Sequence, residues 1–306
     1  MRDRQIVAPR PDKPGAMARA EERAAWLFLA PSLVLFLAFT VVPVISAFII
    51  SFTEWNLFNA VNFVGFGNYV GLLHDEIFLK VLGNTGYFVL VSVPIQIAIA
   101  LLCALALNRG VRGQTFFRVV YFLPVVTSTV AAALVWSWLF NSNFGLINAG
   151  LSLVGVTDLP KWMGSTKWAM PAVIIVSIWQ NLGYAMVLFL AGLQNIHQEV
   201  RDAAELDGAT GWDRFWTITL PLLSPTMFFV LIISIIGSFQ VFELVFVMTK
   251  AGPANATNTL VYYIYQNGFQ FYQMGYASAA AMILFLIVLV FTLAQYRLQD
   301  RWVHYG

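Results

Sequence analysis

The sequence predicts an all-α integral membrane protein with six transmembrane helices, and three observations support this prediction. Of the 306 residues, 59% are hydrophobic and only 10% are charged, whereas a soluble globular domain carries about 25% charged residues. The mean hydropathy is +0.75. The few charged residues leave six long uncharged stretches, and each can hold the ~20 apolar residues that cross a bilayer as a helix.

These uncharged stretches locate the six spans. They run over 24–53, 81–108, 119–157, 168–198, 215–242 and 251–296. With these stretches as a guide, we predict spans near 25–50, 86–107, 119–139, 170–190, 226–248 and 277–295, of which the fifth includes Glu243. The first apolar run is longer than the core of a secretory signal, which has about 7–15 residues, so it predicts an uncleaved first span.

Lys and Arg predict the orientation of the chain. If both termini are cytoplasmic, 13 of the 17 Lys and Arg residues lie inside and 4 lie outside. Cytoplasmic loops carry an excess of these residues. We therefore expect a multi-pass protein of the cell (inner) membrane with both termini in the cytoplasm. A net charge of +2 gives no reason to expect a nucleic-acid partner.

Two predicted spans contain polar side chains that could line a solute pathway. In span five, Gln240 and Glu243 are three residues apart and would share a helical face. In span four, Ser177, Asn181 and Tyr184 are spaced i, i+4, i+7, with Gln180 beside them. A carboxylate at bilayer depth costs roughly 2.5–3.5 kcal/mol and usually faces a cavity or a partner. The alternative is that Glu243 lies near the outer interface. Polar groups beside aromatic ones suit a polyhydroxylated, mostly uncharged solute.

Motifs for catalysis and for ATP binding are absent from the sequence. It has no G-x-x-x-x-G-K-[ST] phosphate loop, no H-E-x-x-H and no G-x-S-x-G. The single cysteine, Cys103, cannot form an internal disulfide or a cysteine-based metal site. We therefore expect no catalytic residue, no metal site and no cofactor on this chain.

A polar segment interrupts the apolar pattern between spans four and five. Its first part, "NIHQEVRDAAELDG" (195–208), predicts a short helix that begins at an Asn195 cap and ends at a left-handed Gly208. Thr210 and Asp213 have the spacing of a capping box for a second helix. Small side chains on the first helix would let a partner approach closely. The alternative is an amphipathic hairpin that lies on the membrane surface.

The segment "DAAELDGATGWDRFWTITLPLLSP" (202–225) resembles the cytoplasmic EAA loop of the permease subunits of binding-protein-dependent ABC importers. Two positions depart from the pattern of that loop: Asp202 stands where Glu is usual, and His197 stands where Pro is frequent. Segments 63–73, 251–269 and 274–285 are similar to those of carbohydrate importer permeases. Among these, they resemble the first permease of the maltose/glycerol-3-phosphate type of pair.

The resemblance implies an architecture. Spans two to six would form a core of five helices around a translocation pathway, and span one would be peripheral. It implies a cytoplasmic N-terminal arm at 1–23, the first helix and an outer loop at 24–85, and a cytoplasmic tail at 297–306. The ABC importer transmembrane domain would cover 86–296, with the EAA loop at 195–225 as its coupling helix.

The resemblance also implies partners. These are a second homologous permease, two ATPase subunits that bind ATP and Mg, an extracytoplasmic solute-binding protein and membrane lipid. The residues expected to couple to the ATPase are Val200, Asp202, Ala203, Ala204, Asp207, Gly208 and Ala209. This chain itself would be a non-catalytic transport subunit.

The expected function is to form half of a pathway that imports a sugar or oligosaccharide. Import of glycerol-3-phosphate or a related phosphodiester is the alternative within this family, although the predicted spans contain no Lys or Arg to meet a phosphate. A secondary transporter is the alternative from another class. It would need ligands for a coupling ion and commonly has internal repeats, and the sequence has no clear repeat.

Overall fold

The computed structural model describes residues 16–110 and 112–302. Within them the chain forms fourteen α-helices and one short β-hairpin. The helices are α1 (Ala16–Phe36), α2 (Val42–Ile50), α3 (Gly67–His74), α4 (Glu76–Asn108), α5 (Gln114–Val126), α6 (Thr129–Leu139), α7 (Leu146–Leu153), α8 (Ala169–Gln194), α9 (Gln198–Leu206), α10 (Gly211–Arg214), α11 (Leu220–Phe239), α12 (Glu243–Met248), α13 (Leu260–Tyr265) and α14 (Met274–Trp302).

Three π-helical turns join or extend these helices. They are Leu37–Val41, Phe215–Thr219 and Gln266–Gln270. In the hairpin, β1 (Thr53–Glu54) pairs antiparallel with β2 (Asn62–Phe63), with Thr53 opposite Phe63. The all-α class predicted from composition is therefore correct.

The chain divides into two compact units, Met1–Ile49 and Ile50–Gly306. In the first unit, residues 1–15 of the predicted arm lie outside the described residues, and 16–23 already form the first turns of α1. In the second unit, α14 continues through most of the predicted tail to Trp302. Residues 303–306 lie outside the described residues.

Five helical segments in the described residues are long and apolar enough to cross a membrane. They are Glu21–Ile50, Glu76–Asn108, Ala169–Gln194, Gly211–Met248 and Met274–Gln299. Each contains one of the predicted spans. Each is also longer than that span, because residues next to the apolar run continue the helix at one or both of its ends.

The third predicted span, near 119–139, is not one straight helix. Its two parts, α5 and α6, meet at an angle of 100°. Thr127 has an extended backbone (ψ 138°) at the bend, and its hydroxyl donates to the carbonyl of Leu123 (3.0 Å). From α8, the Gln180 side chain donates to Thr129 Oγ1 (2.9 Å) and to the carbonyl of Thr127 (3.4 Å). The described residues hold six candidate spans only if this bent pair counts as one.

The fifth predicted span, near 226–248, also breaks. The α11 helix ends at Phe239 and α12 begins at Glu243, so the prediction that Gln240 and Glu243 share one helical face is wrong. The break is stabilised locally: the Gln240 N–H bonds to the carbonyl of Gly237 (3.1 Å). The Thr259 hydroxyl donates to the carbonyl of Val241 (3.1 Å), so a carbonyl released by the break is paired.

The centre of the second unit is α8, which packs along α4 and α5. Large side chains of its inward face are fully buried, among them Val173, Met186 and Phe189. At Gly183 the backbone of α5 passes so close that an added Cβ would lie 2.0 Å from the Tyr121 carbonyl oxygen. A glycine is therefore required there.

The loop 249–259 is fixed to the N-terminal part of α4. Lys80 Nζ donates to the carbonyl of Ala254 (2.7 Å), and Asn84 Nδ2 donates to the carbonyls of Asn255 (2.7 Å) and Asn258 (3.0 Å). Side chains of residues 257–259 are buried. These contacts hold the connection between α12 and α13 against α4.

Asp75 links the start of α4 to α13 and α14. Its side chain caps α4 by accepting from the Ile77 N–H (2.8 Å), and it also accepts from the hydroxyls of Tyr263 and Tyr276 (3.0 Å). Burial alone would raise the pKa of this carboxyl, but the hydrogen bonds from Tyr263, Ile77 and Tyr276 outweigh it and lower the pKa below its usual value.

Candidate functional site

A polar cavity of about 510 Å³ lies between α4, the α5–α6 bend, α8 and the α11–α12 break. Each of the two chain breaks described above contributes to its wall. The cavity is lined by Phe88, Gln96, Val125, Thr129, Ser177, Gln180, Asn181, Tyr184, Ile233, Ser234, Gly237, Ser238, Gln240, Val241, Phe242, Glu243 and Leu244. The irregular backbone therefore lies where it borders a cavity, as expected for non-helical segments at membrane depth.

The four side chains predicted to line a solute pathway all border this cavity. Asn181 and Tyr184 come from α8, and Gln240 and Glu243 come from the two sides of the α11–α12 break. All four are exposed, Tyr184 by 46%. The helix break, and not a common helical face, brings Gln240 and Glu243 together. Their contact with a solute stays a prediction.

Two buried amides fix the wall of the cavity. Gln180 is held by the bend between α5 and α6, as described above, and Gln96 Nε2 on α4 lies 3.4 Å from the carbonyl of Asn181. The Asn181 side chain donates to the carbonyl of Ser177, one turn earlier (2.9 Å). That bond uses one of the two Nδ2 hydrogens, so the other hydrogen can donate to a solute and the side-chain oxygen can accept from one.

The sequence reasoning missed four polar residues of the lining: Gln96, Thr129, Ser234 and Ser238. A signal was available for three of them. Gln96 is a polar amide in the middle of the apolar run of α4, and Ser234 and Ser238 are spaced i, i+4 on α11. Thr129 has no comparable signal, because it reaches the cavity only through the bend.

The chemistry of the lining is that of a site for an uncharged, hydrogen-bonding ligand. Among the described residues that border the cavity, none is Lys, Arg or His, and Glu243 carries the single carboxylate. Amides and hydroxyls supply both donors and acceptors. The rings of Phe88, Tyr184 and Phe242 add apolar surface.

The polar segment after α8 forms the predicted short helix, α9, with one difference at its start. Asn195 does not cap α9, because α8 continues to Gln194 and the Asn195 N–H bonds to the carbonyls of Ala191 and Gly192. The apolar run of α8 simply extends one turn further than expected. The end matches the prediction: Gly208 is left-handed (φ +75°), and the Ala209 N–H closes the cap on the Ala204 carbonyl (3.0 Å).

The residues predicted to couple to an ATPase do not all lie on one surface of α9. Val200, Asp202, Ala203 and Asp207 are exposed, whereas Ala204 is only 5% exposed and faces the rest of the chain. The Asp202 carboxylate accepts from Gln198 Nε2 within the same helix (2.8 Å). Directly afterwards, Thr210 and Asp213 form the predicted capping box at the start of α10.

Comparison with known proteins identifies the family. Residues 96–304 match the family of binding-protein-dependent transport system inner membrane components. This match covers more than half of the chain. The chain belongs to this family. It is a multi-pass membrane component of an ABC transport system, as the resemblance of residues 202–225 implied.

Related proteins match over nearly the whole chain. A probable ABC transporter permease protein of Bacillus subtilis, YesP, is 36% identical over 94% of this chain and 94% of its own length. The lactose transport permease LacF of Rhizobium radiobacter is 36% identical over 89% of this chain and 92% of its length. The sn-glycerol-3-phosphate transport permease UgpA of Agrobacterium fabrum is 35% identical over 92% of this chain and 96% of its own length.

A solved structure shares the fold. One chain of a bacterial alginate ABC transporter, crystallised with a periplasmic protein that carries an alginate pentasaccharide, superimposes with a TM-score of 0.81. It is 25% identical, and the match covers 92% of this chain and 96% of that one. The ABC permease fold predicted from the sequence is therefore correct.

Proposed function

We propose that this chain is the permease subunit that forms half of the pathway of an ABC importer for a neutral sugar or oligosaccharide. The observation that carries the proposal is the cavity among apolar helices that is lined by amides, hydroxyls and aromatic rings. Such groups match a sugar, which offers many hydroxyls and apolar C–H faces. Relatives that transport lactose and multiple sugars support this class of solute.

The competing solute is glycerol-3-phosphate, which the name of a similarly related permease suggests. The cavity argues against it. A phosphate is commonly bound by Arg or Lys, and the described lining has no cationic side chain; its one carboxylate, Glu243, lies in the first turn of α12. The same carboxylate would repel an acidic saccharide such as alginate.

Within this proposal, Asn181, Tyr184, Gln240 and Glu243 contact the solute. Gln240 and Glu243 adjoin the break between α11 and α12, so a movement of either helix would change their separation from Asn181 and Tyr184 on α8. A second homologous permease would supply the facing half of the pathway. An extracytoplasmic solute-binding protein would deliver the solute, in keeping with the family.

The energy for import would enter through α9. This helix is short. Val200, Asp202 and Ala203 on it and Asp207 just after it are exposed, whereas Ala204 is buried, and Gly208 and Ala209 form its C-terminal cap. Two ATPase subunits would bind ATP and Mg and receive α9 in a cleft. The chain itself would be non-catalytic and bind no cofactor. Both of its termini would lie in the cytoplasm.

The test is transport by the assembled system. The chain is co-expressed with the second permease, the ATPase and the binding protein, and the complex is reconstituted into liposomes. Neutral oligosaccharides, sn-glycerol-3-phosphate and a uronate oligosaccharide are compared. We expect ATP hydrolysis and uptake to be stimulated by a neutral sugar. Stimulation by only the anionic solutes would contradict the proposal, and failure to associate with an ATPase would refute the importer assignment.

A further inference from the structure

A second pocket, of about 630 Å³, lies between the β1–β2 hairpin and the segment 271–276 that leads into α14. We call it the hairpin pocket. It shares no lining residue with the polar cavity described above. Its wall includes Tyr276, whose hydroxyl bonds to Asp75 at the start of α4. The α9 helix lies at the other end of α4, where Ala204 and Asn108 border one groove. The hairpin pocket is therefore remote from the predicted coupling helix.

The two walls of the hairpin pocket are joined by close contacts. At Gly275 an added Cβ would lie 1.8 Å from the carbonyl oxygen of Thr53, so β1 packs directly on the start of α14. From α3, Asn68 Nδ2 donates to the same carbonyl (2.9 Å). At the tip of the hairpin, Phe58 packs edge to face on Tyr272, with 5.4 Å between the ring centroids. The pocket is therefore formed in the folded chain before any ligand binds.

Four polar side chains of this pocket are available to a ligand. Glu54, Asn59, Asn62 and Gln273 are exposed, and their side chains make no hydrogen bond within the described part of the chain. Glu54 is directly opposite Asn62 in the hairpin. Their side chains therefore lie on one face, with Cβ atoms about 4.5–5.5 Å apart. This pair combines a carboxylate, which accepts hydrogen bonds, with an amide, which both donates and accepts.

The rest of the lining indicates the class of ligand. Among the described residues that border the pocket, Glu54 has the one charged side chain, and Trp55, Phe271 and Tyr276 are aromatic. An anionic ligand would meet this carboxylate without a cation to balance it. Neighbouring hydroxyls of a sugar can donate to a carboxylate and accept from an amide, and its C–H face can pack on a ring. The volume is within the range of small-molecule sites, about 300–1,000 Å³.

We propose that the hairpin pocket is a second saccharide site, for the same class of neutral solute as the cavity. Glu54 and Asn62 bind neighbouring hydroxyls of one sugar unit, and Gln273 binds it from the opposite wall. The inference rests on the proposed function, which supplies the class of solute and places this end of α4 outside the cell. A sugar bound there is held beside the permease before it enters the cavity.

The test measures sugar binding by saturation-transfer NMR. The complex of this chain with the second permease and the ATPase is placed in lipid nanodiscs without the binding protein, and lactose, raffinose and maltotriose are the probes. The chain carries Asn181→Trp, which fills the cavity and leaves the hairpin pocket free. We expect at least one sugar to bind. Glu54→Ala with Asn62→Ala should weaken its binding at least about tenfold, because a hydrogen bond to a charged group is among the stronger ones.

The matched control is Glu76→Ala, which removes an exposed carboxylate at the start of α4 that does not border the pocket; sugar binding should be unchanged. Equal binding by the chain with and without the Glu54 and Asn62 substitutions would overturn the proposal. Uptake of a probe by the wild-type complex without binding in the Asn181→Trp chain would refute this site alone. Binding at the pocket without uptake would refute the proposed function alone, and the absence of both would overturn both.

A further outcome concerns a protein partner. The binding protein is added to the same nanodiscs and its association with the complex is measured. If the Glu54 and Asn62 substitutions weaken this association while sugar binding is unchanged, the pocket is a protein contact and the saccharide proposal is wrong. If they weaken sugar binding while the association is unchanged, the proposal is supported.

Discussion

Individual polar residues determine where the helices of this permease break. Gln180 on α8 is buried, yet its amide has partners, because Thr127 and Thr129 present a carbonyl and a hydroxyl at the α5–α6 bend. An unpaired buried amide would cost about 1–3 kcal/mol. The bend and Gln180 therefore stabilise one another, and together they form part of the cavity wall.

Gly208 matters for the C-terminal cap of α9 because its backbone adopts the left-handed conformation. Its φ of +75° closes α9, and an added Cβ would meet nothing within 4 Å. Gly208→Leu should therefore cost about 1–2 kcal/mol through the left-handed conformation alone, unwinding the end of α9. We expect loss of transport-stimulated ATP hydrolysis in the reconstituted complex, with normal insertion of the chain into the membrane.

The control for this variant is Gly211→Leu. Gly211 is three residues further on and equally uncrowded, but it does not have a positive φ. Its replacement should leave stimulated hydrolysis close to that of the wild type. Normal stimulation in the Gly208 variant would show that α9 does not couple to the ATPase.

At the scale of the elements, the contact of Asp75 with α13 and α14 predicts a pH dependence. The pKa of Asp75 in the folded protein is lower than its usual value, so the unfolded chain binds a proton more readily. The stabilisation is therefore complete above the ordinary carboxyl pKa of about 3.9 and is lost as the pH falls through the lowered folded value.

Asp75→Asn should remove this stabilisation. Thermal unfolding of the purified chain in detergent, followed between neutral and acidic pH, should show a lower Tm for the variant at neutral pH and a smaller loss of Tm on acidification. Asp158→Asn, in an exposed loop, should behave like the wild type. Parallel pH profiles for the wild type and the Asp75 variant would contradict the assigned role.

Some of the helices, caps and breaks of the fold could be predicted from the sequence, and others could not. The long helices α4, α8 and α14 follow from uncharged apolar runs, and the caps at Gly208 and Thr210 follow from local residue spacing. The break at Gln240 could not be predicted, because the sequence on both sides is equally apolar, whereas Pro124, three residues before Thr127, is a sequence signal for a kink in the third span. Their stabilising partners, Gln180 and Thr259, are distant in sequence, so only the packed chain brings them into contact.

At the scale of the whole molecule, solute binding and coupling to the ATPase are predicted to involve two separate regions. The polar cavity among α4, α8 and α11 is suited to a neutral solute, and the exposed surface of α9 is suited to a partner. Asn181, Tyr184, Gln240 and Glu243 border one cavity, although Gln240 and Glu243 do not share a helical face; their contact with a solute stays a prediction. Thr129 could not be predicted because it reaches the cavity only through the α5–α6 bend, whereas Gln96, Ser234 and Ser238 had a signal in the sequence that was overlooked.

The central claim is that the solute passes through this cavity, and uptake by the reconstituted complex after the cavity is filled tests it most directly. Asn181→Trp places a large ring at the cavity wall, whereas Ile175→Trp adds the same ring at an exposed position of α8 that does not border the cavity. The account predicts that Asn181→Trp lowers the rate of sugar uptake at least tenfold while the subunits remain assembled, and that Ile175→Trp transports normally. Normal uptake by the Asn181 variant would contradict it.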